Sequence, residues 1–290
     1  MIRVLVTGGN GQVGRSIAEL VSDARFAALD IAVADRSAVD ITDRAGLSAA
    51  FDRVRPEVVI NAAAFTAVDA AETDEAVAMA ANADAVASLA DLCAAHGARL
   101  LHLSTDYVFD GTKDGWYVES DPIAPLGVYG RTKAAGEAAA RACPAHLILR
   151  TSWVYAAHGN NFVRTMLRIG AERPEVGIVD DQIGCPTSAR DIAESLLHLS
   201  SLDVNGTYHL AGTDQASWYE FAVAIFAAAD LSATAKPIST ADFPTPAPRP
   251  ANSRLDSSAL ADATGVRLPG WRDSLPDVVS AILATGQLRT

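Results

Sequence analysis

Tyr129 and Lys133 stand four residues apart in Tyr129-Gly130-Arg131-Thr132-Lys133, which sets a phenol and an ammonium on one face of a helix beginning near Tyr129. The pairing suits proton transfer. A free phenol has a pKa of about 10, and a nearby cation favours the phenolate, moving the group toward the range useful at neutral pH. Tyr129 would give its proton to a carbonyl oxygen as hydride reaches the carbon. A solvated helix face carries the same pair without chemistry. However, Ser104-Thr105-Asp106-Tyr107 closes an apolar run, so the Thr105 hydroxyl would emerge at the same edge of a sheet.

Hydride needs a carrier, and Thr7-Gly8-Gly9-Asn10-Gly11-Gln12-Val13-Gly14 has the form of a dinucleotide turn. It follows a β-branched run and opens a helix pattern containing Ile17 and Leu20. Gly8, Gly11 and Gly14 would allow the sharp turn, the approach of backbone N–H groups to a pyrophosphate, and close packing of helix on strand. Asp35 lies about 20 residues beyond the last glycine, where a carboxylate can hold a ribose 2′-hydroxyl. Arg36 follows it and could pair with a 2′-phosphate. The cofactor expected is therefore NADPH or NADH.

These groups need a scaffold. Apolar runs at 2–6, 29–34, 58–60, 100–103 and 147–149 read as buried strands. Helical patterns separate them, the clearest over 74–95, where Val86, Leu89, Ala90 and Cys93 share a face and Gly97 follows as a cap. The alternation predicts an α/β fold, a doubly wound parallel Rossmann sheet with a smaller C-terminal substrate-binding lobe. Residues 1–155 are the expected NAD(P)-binding domain, with later segments rejoining it, and 156–290 mainly the lobe. Further elements are expected at 175–179, 188–199 and 207–211, followed by a Pro-rich stretch over 243–250 that suits neither helix nor central strand.

The chain has 290 residues, half of them apolar, enough for a full core. Its net charge of -12 and lack of a basic patch argue against nucleic acid as a partner. Apolar stretches such as 221–229 are shorter than the roughly 20 residues that cross a bilayer, and the N-terminus lacks the pattern of a signal peptide. No membrane partner is expected. Cys93, Cys143 and Cys185 suggest neither a disulfide framework nor a zinc site, which fits a cytoplasmic location.

Taken together, several runs resemble the dTDP-4-dehydrorhamnose reductase family of extended short-chain dehydrogenases. They are 7–14, 61–69 (Asn-Ala-Ala-Ala-Phe-Thr-Ala-Val-Asp), 104–111, 129–133 and 150–155, joined by 159–162, Asp181-Gln182 and 249–255. The resemblance implies reduction of dTDP-4-dehydro-6-deoxy-L-mannose to dTDP-L-rhamnose. It implies a catalytic trio of Thr105, Tyr129 and Lys133, and a pyrophosphate turn of Gly11, Gln12 and Val13. It also implies adenosine contacts at Asp35, Asp40 and Ile41, a cofactor wall of Ala62, Ala63, Ala64 and Thr66, and sugar contacts at Thr105, Asp106 and Trp153. An indole plane at Trp153 could stack on a hexose. Arg249, Arg254 and Lys236, around the Pro-rich stretch, could neutralise the substrate diphosphate.

Some members of that family bridge subunits through a divalent metal held by glutamates; here Ser16 and Arg190 occupy those places. Neither suits a hard cation, so no metal is expected and the chain is read as a monomer or weak homodimer. A sugar nucleotide dehydratase would need a glutamate where Tyr107 follows Asp106. Another sugar nucleotide 4-ketoreductase, or a non-catalytic regulatory subunit on the same fold, are the remaining alternatives; an intact Thr105, Tyr129 and Lys133 favour an enzyme.

Overall fold

Strands that are apolar along their whole length must be covered on both faces. The computed structural model, which describes residues 1–285, has this arrangement. Strands β1 (Ile2–Thr7), β2 (Leu29–Ala34), β3 (Val58–Asn61), β4 (Arg99–Thr105), β5 (His146–Thr151) and β6 (Gly206–His209) form one sheet in the order β6-β5-β4-β3-β1-β2. Every neighbouring pair is parallel. The order reverses between β1 and β3, which opens a crevice at their carboxyl ends.

Helix α1 (Gln12–Leu20) covers one face with Ile17 and Leu20. On the other, α2 (Arg44–Val54) buries Leu47 and Phe51 beside α3 (Glu75–His96), which buries Val86, Leu89 and Cys93. By length and composition α3 could cross a membrane, which reading the apolar stretches separately does not reveal, but half of its apolar window is buried inside the fold. Its middle, Ala80–Asp84, is a π-helical turn, and Gly97 ends it at φ +66°. The π turn carries Asn82 inward, where its amide bonds both Phe65 N–H (2.8 Å) and Phe65 C=O (3.1 Å), as well as Thr132 Oγ1 (3.0 Å).

Helix α4 (Val128–Ala140) lies beside α3. Beyond β5 the chain builds a second cluster from α5 (Phe162–Glu172), the paired strands Glu175–Val179 and Thr234–Ile238, and two further helices, with Phe221, Ile225, Trp271 and Val279 at its centre. In between it returns to the main sheet: α6 (Ala189–Leu199) packs on α1, and β6 pairs with β5. The Pro-rich stretch is irregular. Residues 286–290, the end of the expected lobe, lie outside the described residues.

A buried ion pair fixes α4 to the sheet. Glu137 accepts two hydrogen bonds from the Arg150 guanidinium, both at 2.8 Å, and one from Ser104 Oγ at 2.7 Å. Burial alone would raise the Glu137 carboxyl, but bonding and charge from Arg150 hold it below its ordinary value. Arg150→Met would leave the buried carboxylate with only the half-exposed Arg141, at 3.1 Å, as a cation. A loss of about 3–5 kcal/mol is expected by urea denaturation at neutral pH, shrinking on acidification as Glu137 takes a proton; an unchanged midpoint would mean that the pair does not hold the helix.

Candidate active site

The crevice between β1 and β3 is shaped by glycine. Gly8 sits at φ +79°, and a Cβ there would come within 2.6 Å of Ala62 C and Ala63 N. At Gly14 a Cβ would lie 2.2 Å from Gly8 O, so the helix rests directly on the turn. Gly11 is the N-cap of α1 and offers no side chain to the first-turn N–H groups, which remain suited to a phosphate. A cavity of about 540 Å³ opens here, lined by the expected Gly8, Gly11, Arg36, Asp40, Ile41 and Ala62 to Ala64. Val39, Phe65, Ala80 and Ala81 also line it and were not foreseen from sequence.

The remaining cofactor candidates lie around this cavity. Val13 is buried beneath the turn, and Gln12 is turned aside, its amide bonding Val154 O (3.4 Å) and Asn161 Nδ2 (3.0 Å). Thr66 is exposed and does not line the cavity. The Asp35 carboxylate is engaged in the turn after β2: Oδ1 accepts from Ser37 Oγ (2.6 Å), Ser37 N (2.9 Å) and Ala38 N (3.0 Å). Arg36 pairs with Asp40 at 3.1 Å but keeps most of its side chain in solvent.

At the carboxyl end of β4, Thr105 donates to Asp106 Oδ1 (2.8 Å) and accepts from Tyr107 N (3.2 Å), and its hydroxyl acts on the Tyr129 phenol. Glu72 accepts from Val128 N at 2.8 Å and so satisfies the start of α4. Lys133, 2% exposed, donates from Nζ to Leu103 O at 2.7 Å. Burial pushes Lys133 down to about 8, against the charge of Glu137. Burial also pushes the Tyr129 phenol above its ordinary value, with the Thr105 bond opposing.

This corrects the expectation that the ammonium would acidify the phenol. The cost of burying a phenolate dominates, and the Lys133 Nζ is bonded to a backbone carbonyl instead. The phenol is therefore protonated at neutral pH, the state a proton donor needs. Burial pushes Asp106 up to about 6. Its Oδ2, and Oγ1 of Thr151 opposite Thr105 in the β4–β5 register, are buried without a hydrogen-bond partner. Two unpartnered polar atoms thus lie beside Thr105, both closed off from solvent.

Trp153 adopts φ +48° and stacks on Trp218, ring centroids 3.5 Å apart and planes within 2°. That indole face is thus covered and cannot receive a hexose. Gly184 lies against the same ring, where a Cβ would be 2.3 Å from Cε2. A second cavity, about 470 Å³, is lined by Phe162, Gln182, Trp218, Phe243 and Arg249. Of the three cations expected near the diphosphate, the structure brings Arg249 here, paired with Asp69 at 2.8 and 2.9 Å. Arg254 is bonded to Asn252 and Gln215, and Lys236 is exposed on its strand; neither lines this cavity.

Ser16 Oγ donates to Gln12 O (3.0 Å), while Arg190 pairs with Glu194 (3.3 Å) and Glu19 (3.7 Å). Among the described residues no group of three or more His, Cys, Asp or Glu could hold a metal. Sequence reading missed Asn61, Asn82, His102, Ser104, Glu137 and Arg150. The available signal was a histidine and an arginine inside apolar strand patterns, since buried polar groups demand partners.

A family profile described as RmlD substrate binding domain matches residues 2–284. A dTDP-4-dehydrorhamnose reductase of Sinorhizobium fredii is 43% identical, with 99% of each chain covered. Among solved structures, a dTDP-4-dehydrorhamnose reductase of Clostridium acetobutylicum superposes with a TM-score of 0.92 at 37% identity, covering 97% of this chain and 99% of that one. The enzyme of the same name from Bacillus anthracis, solved in complex with NADP, gives 0.91 at 36% identity, covering 96% and 99%.

The lowered Lys133 pKa has a consequence for stability. Between about 8 and the ordinary value of 10.5 the unfolded chain holds a proton that the folded chain has released, so stability rises with pH across that window and the penalty is fully present below it. Lys133→Met should therefore gain about 1–3 kcal/mol at pH 7 and lose the rise toward alkaline pH. Urea midpoints near neutrality and near pH 9–10 test this; a variant less stable than wild type at neutral pH would contradict it.

Proposed function

The chain belongs to the dTDP-4-dehydrorhamnose reductase family, and we infer that it reduces the 4-keto group of dTDP-4-dehydro-6-deoxy-L-mannose to dTDP-L-rhamnose with NADPH or NADH. The observation that carries the site assignment is the meeting of Tyr129, Thr105 and Lys133 at the sheet edge that also bears the glycine cradle. The cradle fits a dinucleotide, because a Cβ on Gly8 or Gly14 would fill it and the start of α1 is left uncapped.

When bound, the reduced nicotinamide supplies hydride to the keto carbon. Tyr129, kept protonated by burial, gives its proton to the oxygen as that bond forms. Thr105, whose one proton goes to Asp106 in this structure, would hold the same oxygen by turning that proton from Asp106 to it, and Lys133 is anchored at Leu103 O. Arg249, partly neutralised by Asp69, stands where a diphosphate would be met, beside the aromatic wall of Phe162, Trp218 and Phe243. On this reading residues 156–290 mainly form the substrate lobe, and the chain acts in the cytoplasm as a monomer or weak homodimer.

The test is incubation with freshly made dTDP-4-dehydro-6-deoxy-L-mannose, following loss of NAD(P)H absorbance and identifying the product by NMR; no turnover would reject the assignment. Tyr129→Phe removes the proton donor and should cut kcat by about 10²-fold or more with cofactor affinity nearly unchanged. Unaltered kcat would remove Tyr129 from the reaction. Asp35 and Arg36 should set cofactor choice. Asp35→Ala removes a negative charge from the edge that would meet a 2′-phosphate, and is expected to raise the NADPH to NADH ratio of kcat/KM about tenfold; an unshifted ratio would exclude Asp35.

A further inference from the structure

One buried titratable group beside the site has no part in the mechanism above. His102, 0% exposed, lies inside β4. The register of the sheet sets Thr7 beside Asn61 and Asn61 beside His102 across β1, β3 and β4. Asn61 Nδ2 is 3.0 Å from His102 Nδ1, and His102 Nε2 is 3.5 Å from Lys133 Nζ. The row thus runs from the glycine turn to the amine of the candidate catalytic lysine.

Hydrogen-bond logic fixes the protons along it. Asn61 Oδ1 accepts from Ala63 N (3.2 Å) and Thr7 Oγ1 (2.7 Å). A backbone N–H only donates, so this end of the amide is the oxygen and the end facing His102 is the NH₂ group, which can only donate. His102 Nδ1 must then carry the lone pair. Complete burial first, and the Lys133 charge second, hold the ring well below its usual pKa. It is therefore neutral, with its one proton on Nε2, pointing toward Lys133.

Lys133 meets this N–H on one side and Leu103 O at 2.7 Å on another. An ammonium has donors only, so it finds one acceptor here and one opposing donor. A neutral amine uses both: it donates to Leu103 and accepts from His102. The further charge acting on Lys133 is Glu137, one turn on along the same helix, itself paired with Arg150. Glu137 favours the ammonium, but its oxygens are held by Arg150, Arg141 and Ser104.

We propose that His102, clamped by Asn61 with its proton on Nε2, is a positioning residue that turns an N–H toward the Lys133 amine and so favours release of the Lys133 proton during turnover. The proposal rests on the reading of Tyr129 and Lys133 given above. After Tyr129 has protonated the product oxygen, its phenolate takes a proton from Lys133, directly or through an intervening hydroxyl. An Nζ–H bond breaks, the phenolic O–H bond re-forms, and the neutral amine accepts the bond from His102 until solvent restores the proton.

The experiment is the pH profile of kcat for the holoenzyme with NADPH and dTDP-4-dehydro-6-deoxy-L-mannose. Wild type should lose activity on an alkaline limb as Lys133 deprotonates. His102→Met removes the opposing donor. Asn61→Asp instead accepts from Nδ1–H, so that Nε2 becomes an acceptor toward the ammonium. Both should move the limb upward by about one pH unit, a tenfold change in proton affinity, and Lys133→Met should abolish it. A merely structural His102 would lower kcat at every pH without moving the limb, and that result overturns the proposal, as does a wild-type profile with no limb. If Lys133→Met keeps wild-type kcat and limb, it is the reading of Lys133 that fails. Should neither His102 nor Asn61 variant fold, 15N-histidine NMR of wild type decides: Nε2 protonated and Nδ1 bare from about pH 6 to about pH 9 is expected, and the opposite tautomer or an imidazolium overturns the proposal.

Discussion

The bidentate pair between Glu137 and Arg150 is the interaction on which the site geometry depends. Tyr129, Lys133 and Glu137 follow one another at four-residue steps along α4, so fixing Glu137 fixes the rotation of the helix about its axis. Arg150 on β5 and Ser104 on β4 supply the fixed end. Both partners are almost fully buried, so they are screened little and neither can swing to water. Two glycines let the helix come this close: a Cβ on Gly130 would lie 2.2 Å from Tyr107 O, and one on Gly136 2.0 Å from Asn82 O. Larger residues there would lift the phenol away from Thr105.

Burial then sets the charge state of the site. It raises Tyr129 and lowers Lys133, both toward the neutral form. The same desolvation that makes a phenolate costly makes an ammonium costly, and a single cation cannot offset both. A reductase is helped by this, since its tyrosine must begin the reaction protonated. The expected acidification through Lys133 gives way to a weaker hold of each group on charge.

Local signals were legible in the sequence, and long-range pairings were not. The glycine turn, the five leading strands, the helix ending at Gly97 and the start of α4 near Tyr129 each announce themselves within a few residues. The π turn at Ala80–Asp84 does not, because it is stabilised by Asn82 reaching Phe65 and Thr132, 17 and 50 residues away. Arg150 and His102 break apolar runs, but their partners are 13 and 41 residues distant, and no spacing rule connects them. Arg249 and Arg254 look equivalent in sequence; Asp69 and Asn252 separate them in space.

The segment that follows β5 is held by a different balance. The chain leaves β5 at Thr151 and two residues later places Trp153 in the left-handed region, which costs a large side chain of order 1–3 kcal/mol. The stack on Trp218, itself bonded through Nε1 to Gln182 at 3.2 Å, and the bare backbone of Gly184 offset that cost. Three segments far apart in sequence thus agree on one indole position. Because α6 and β6 return to the main sheet between them, the Trp153–Trp218 stack does not carry the join between sheet and lobe alone. The two indoles therefore form a preformed, rigid wall whose position is fixed before any ligand arrives.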